Sequence, residues 1–103
     1  MNERPIPEPA YDDPNAVEML RVWVAAKQLH FSMKIGMYKN RRDITEEEAW
    51  GAVLADVART VADALVQTCD RSHDVILDRL STRFLKELDQ PTTETRGGFV
   101  SRH

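Results

Sequence analysis

Only one cysteine, Cys69, occurs in the sequence, so no intrachain disulfide can form and nothing staples the chain covalently. Long apolar runs are missing as well. The most apolar stretch, residues 49–66, is interrupted by Asp56, Arg59 and Asp63, and charges near a bilayer centre are costly enough that no membrane span is expected. The N-terminal MNERPIPEPAYDDPN has no apolar run that could serve as a secretion signal. With the lone thiol, this makes a reducing cytoplasm the expected location. Glycine is scarce, with four residues, and none stands in a loop pattern able to cradle a phosphate. Basic charge is not in excess either: 14 Lys and Arg against 17 Asp and Glu leave a net charge of -3. That balance disfavours nucleic acid as a partner, although a local basic patch could still form.

What remains is a chain of 103 residues with 42% hydrophobic side chains, enough for one small domain around one core. Residues 1–16 hold Pro5, Pro7, Pro9 and Pro14 with Asp12 and Asp13; such a segment buries too little apolar area to offset its ordering entropy and reads as a flexible arm. Residues 91–103 read as a flexible tail, because Pro91 stops the preceding helix and Gly97-Gly98 loosens the chain before the apolar pair Phe99-Val100. The single domain is then residues 17–90.

Within it, MLRVWVA and LHFSMKIGMY both alternate at period two, with a short break around Lys27, which predicts an antiparallel hairpin. Pairings whose residue numbers sum to 53 or 55 put Leu20, Val22 and Val24 on one face with Leu29, Phe31, Met33, Ile35 and Met37. A sum of 55 would oppose Arg21 to Lys34, like against like, so 53 is preferred, with Arg21 opposite Ser32 and Trp23 opposite His30.

After the polar KNRRD loop, Thr45 and Glu48 have the spacing of a capping box, which predicts a helix from there to about Cys69. Trp50, Val53, Leu54, Val57, Val61, Ala64, Leu65 and Thr68 form its apolar stripe. Beside that stripe Gly51, Ala55, Ala58, Ala62 and Cys69 make a flat flank of small residues where another backbone could approach closely. Asp56, Arg59 and Asp63 fill the remaining arc. A break near CDRSH precedes a second helix, about residues 72–89, with Ile76, Leu77, Leu80, Phe84 and Leu88 on its apolar face.

The predicted fold is therefore α+β: an antiparallel hairpin followed by two amphipathic helices. Two strands alone leave both edges unpaired, and a core of this size gains from a partner, so the fold is expected to be completed by homodimerisation. The residues placed at the assembly contact are Trp50, Gly51, Ala55, Ala58 and Ala62, with Val22, Val24 and Met33 in the core beneath.

The blocks LRVWVA, LHFSMKIGMY, EEEAWGAVLADVARTVADAL and PTTETRGGFV together resemble a small, uncharacterised bacterial family known only as a domain of unknown function. The likeness spans about residues 18–100. It implies no activity, cofactor or site residue.

The chemistry of the side chains is equally sparing. Arg21, Trp23, His30, Ser32, Lys34 and Tyr38 would share the polar face of the hairpin, near Lys39, Arg41 and Arg42. Cations with interleaved aromatics can hold single-stranded nucleic acid; the plainer reading is a solvated face on which Trp23 is covered by a terminal segment such as Phe99-Val100. Cys69 and His73 are four apart, as two metal ligands can be, with His30 as a third; lacking a second cysteine or an HxxxH, they read instead as a packed thiol and a packed histidine with one backbone hydrogen bond. Ser32, Ser72 and Ser81 lack an elbow motif, and Glu46, Glu47 and Glu48 read as helix-start acids, not as a tuned pair. Met33, Met37 and Met19 could line an apolar groove between sheet and helix, although such a stripe is more often plain core. No cofactor, no metal and no enzymatic activity are expected. The leading expectation is a non-enzymatic homodimer that serves as an interaction or accessory module with a further protein partner. The alternatives are single-stranded nucleic-acid binding on Arg21, Trp23, His30, Lys34 and Tyr38, or a small apolar ligand between sheet and helix.

Overall fold

The computed structural model describes residues 2–92 and the backbone of residues 95–101. Its elements are α1 (Glu8–Asp12), β1 (Leu20–Ala25), β2 (Gln28–Ile35), α2 (Glu46–Val66), α3 (His73–Asp89) and β3 (Thr95–Ser101). This is an α+β fold with an antiparallel hairpin followed by helices, as the two periodicities require. The register is the one that separates like charges: Arg21 faces Ser32 and Trp23 faces His30.

Only Ala26 and Lys27 separate the paired ends Ala25 and Gln28. Their φ angles of 51° and 63° are both left-handed, which matches the twist of a two-residue hairpin but costs a side-chain-bearing residue about 1–2 kcal/mol.

The strand β3 corrects the expectation of a plain tail. It pairs in parallel with β2, from Leu29 opposite Thr95 to Ile35 opposite Ser101, so the sheet order is β1-β2-β3. The free edge expected on β2 is therefore taken by the chain itself. TRGGFVS shows no alternation and carries two adjacent glycines, which strands disfavour, and parallel pairing needs a long crossover, here supplied by α2 and α3. Periodicity alone could not show it.

The chain divides into two compact units, Met1–Ile35 with Thr95–His103, and Gly36–Glu94. The single domain expected over 17–90 thus contributes to both.

In the first unit the N-terminal arm runs beside β1. It contains α1, which has a proline in its first turn, and Glu3 is ion-paired to Arg21 at 2.8 Å. A cavity of about 690 Å³ lies between the arm and β1, lined among others by Pro5, Ile6, Tyr11, Arg21 and Trp23. The burial of β1 is consequently inverted. Val22 and Val24, expected in the core, are 48% and 75% exposed, whereas Arg21 and Trp23 beneath the arm are half-buried. The alternation is real, but the arm covers the polar face, so polarity did not reveal which face would be shielded.

In the second unit both helix starts carry the expected caps. The Glu48 amide donates to Thr45 Oγ1 at 3.2 Å, and the Val75 amide to Ser72 Oγ at 3.3 Å. The helix α3 ends at Asp89, one residue before the extended Gln90 (ψ 80°) that Pro91 requires. The helices α2 and α3 pack against each other. Among the described residues the buried apolar side chains are Ala49, Ala62 and Ile76, all within this unit.

Candidate interaction surfaces

The sheet surface named from sequence is not a free basic patch. Arg21 Nη1 donates to Glu3 at 2.8 Å, and its Nε donates to Glu18 at 2.6 Å. The guanidinium holds the Glu18 carboxyl below its usual range. Two carboxylates on one cation leave little attraction for a phosphate. The covering segment over this face is the N-terminal arm, not Phe99-Val100, which stand in β3 opposite Met33 and Lys34. His30 Nε2 donates to the Ala25 carbonyl at 3.1 Å, bracing the turn. Lys34 is half-buried. Tyr38 belongs to the other unit, where the Arg41 guanidinium lies 6.0 Å from its ring centroid and Arg41 is itself ion-paired with Asp43. The five residues are therefore divided between two units.

Glu46 does a job that the sequence did not disclose. Its carboxylate accepts from the Gly36 and Tyr38 amides, each at 2.8 Å, and from Trp50 Nε1 at 3.2 Å. The Gly36 amide, with the Tyr38 amide and the Trp50 indole N–H, holds this carboxyl below its ordinary value against the opposing effect of partial burial. The loop before α2 is thereby tied to the first turn of the helix. Gly36 itself has φ 100°, a conformation that favours glycine.

Neither Cys69 nor His73 behaves as a metal ligand pair. His73 Nε2 meets Asp63 Oδ1 at 2.8 Å, joining α3 to α2 through a carboxylate where a backbone bond was expected. Cys69 is half-buried, with Thr68 Oγ1 at 3.9 Å. Among the described residues no three His, Cys, Asp or Glu side chains gather, and no helix is long and apolar enough to cross a membrane.

The small-residue flank of α2 is partly occupied. Ala62 is fully buried and Ala58 and Cys69 half-buried, while Gly51 and Ala55 are exposed; a Cβ on Gly51 would meet no atom within 4 Å. The helices α2 and α3 pack against each other, and His73 of α3 meets Asp63, the residue after Ala62. The larger apolar stripe is partly exposed, with Trp50 and Val53 half-buried. Leu54, Val57, Val61 and Leu65 are 37–48% exposed, and on α3 Phe84 and Leu88 are 43% and 69% exposed.

The family described as Domain of unknown function (DUF5076) matches residues 3–92. The chain belongs to this family. Membership brings no activity with it. A solved structure from the photosynthetic bacterium Rhodopseudomonas palustrus CGA009, described provisionally as a pyruvate dehydrogenase, is similar at 26% identity with a TM-score of 0.68, over 91% of this chain and 90% of that one. No curated protein matches.

Proposed function

We propose that this family member is a non-enzymatic, cytoplasmic homodimer acting as an interaction or accessory module. The observation that carries the reading is the disproportion between its buried and exposed apolar side chains. Among the described residues Ala49, Ala62 and Ile76 are the buried apolar side chains, while larger ones such as Val22, Val57 and Leu88 are 48%, 48% and 69% exposed. Apolar burial is the main favourable term in folding, at about 25 cal/mol per Å². A second copy offers the same apolar faces and can supply the missing burial.

The dehydrogenase description of the similar structure is not adopted for this chain. Oxidative decarboxylation relies on a cofactor as electron sink, and the sequence offers no glycine-rich loop to hold a cofactor's phosphates. The polar groups that do converge, at Arg21 and Glu46, satisfy one another.

Thermal unfolding at several protein concentrations tests the dimer. A folded homodimer gains stability by mass action, so Tm rises with concentration; a concentration-independent Tm argues against it. Consumption of pyruvate by the purified protein, with a thiamine cofactor and an electron acceptor supplied, would contradict the non-enzymatic part.

A further inference from the structure

The N-terminal arm lies against β1 without joining the sheet. As an end member of the order β1-β2-β3, β1 is an edge strand, but Pro5, Pro7 and Pro9 lack the amide hydrogens that strand pairing needs. Arm and strand therefore stand apart. The cavity of about 690 Å³ between them falls within the size of small-molecule sites, about 300–1,000 Å³. Its described lining residues all belong to the first compact unit.

The lining specifies a ligand. Pro5, Ile6, Tyr11 and Trp23 supply apolar and aromatic wall, the usual body of a small-molecule site, and a few polar groups fix orientation. Here those groups centre on the Arg21 guanidinium. Its Nε and Nη2 donate to Glu18, at 2.6 and 3.0 Å, from three residues away in the chain. Its Nη1 donates at 2.8 Å to Glu3, 18 residues away on the arm, through an ion pair that solvent reaches on both sides. Exposed ion pairs are weak, so Nη1 is the exchangeable position: a donor beside apolar walls that already holds a carboxylate oxygen.

Charge narrows the class further. Among the described residues the charged lining is Glu3, Arg4, Glu18 and Arg21. With the Glu3 carboxylate withdrawn, two cations face one anion. A single carboxylate balances that excess, whereas a dianionic phosphate exceeds it and meets Glu18 on the same guanidinium.

We propose that this cavity binds an apolar monocarboxylate, its carboxylate on Arg21 Nη1 in the place of Glu3 and its body against Trp23 and Ile6. Glu3 is then an internal competitor carried on a detachable arm. The site is separate from the homodimer reading and stands or falls without it.

The probe is 4-phenylbutyrate, with 4-phenylbutyramide and phenyl phosphate as comparisons, titrated into the full-length ¹⁵N-labelled protein. The acid should shift, saturably, the indole N–H signal that is lost in Trp23→Phe. The amide keeps the apolar body without the charge and should bind about tenfold more weakly. Glu3→Gln removes the competitor and should tighten binding of the acid about two- to sixfold, the factor by which an exposed ion pair of ordinary strength occupies Nη1. Arg21→Gln should lose the binding; if that variant does not fold, the sign of the Glu3→Gln effect decides, because Glu3 stands on the exposed arm. A saturable shift, a weaker amide and a tighter Glu3→Gln support the proposal. It is overturned by the absence of a saturable shift, by an amide or a phosphate that binds as well as the acid, or by Glu3→Gln binding no tighter than wild type, the result expected if Glu3 only shapes the wall.

Discussion

At the scale of single residues, the informative groups are those that hold the backbone. Glu46 accepts two amides and an indole N–H, and its carboxyl is held below the ordinary 4.5. A folded-state value below the unfolded one means stability that is present above the unfolded value and lost as pH falls through the folded one. Acid unfolding of the wild type between about pH 5 and 3 should therefore be steeper than that of Glu46→Gln. Equal slopes in urea titrations across that range would show that the clamp does not act in solution. The hairpin turn gives a second expectation: Ala26→Asn with Lys27→Gly suits the left-handed positions and should raise stability by about 1–2 kcal/mol. An unchanged or lower urea midpoint would contradict the left-handed turn. The Thr45 cap was legible because its spacing is local. The Glu46 clamp was not, since its partners Gly36 and Tyr38 are set by the path of a loop.

At the scale of elements, α2 shows how far periodicity reaches. Its stripe, its small flank and its charged arc were all readable at 100° per residue, yet which face meets which neighbour was not. The same small flank holds a fully buried Ala62 and an exposed Gly51 with open space around it. The two positions should respond oppositely to added side-chain volume. Ala62→Leu should overpack the helix pair and cost about 1–3 kcal/mol, whereas Gly51→Ala should gain about 1 kcal/mol from helix propensity alone. Chemical denaturation of both variants checks the contrast; a tolerated Ala62→Leu would mean that α3 does not approach there. The sheet repeats the lesson. The register of β1 on β2 followed from charge and alternation, but β3 was hidden by Gly97-Gly98, and the inverted burial of β1 by an arm whose prolines suggested disorder.

At the scale of the whole molecule, the account rests on apolar surface that the chain leaves exposed. Sequence indicated the need for a partner through an unpaired strand edge, and β3 removes that argument for β2. The proposed partner is supported in another place, by the exposure of Val22 and Val24 of β1 and of Leu54, Val57 and Val61 of α2. Side chains of this kind gain most from burial, and a small domain has few other sources of stability. The most direct measurement is the light-scattering mass of the untagged protein during size exclusion. The account predicts twice the 11.8 kDa of one chain, held on dilution. A mass of one chain at every concentration would contradict it.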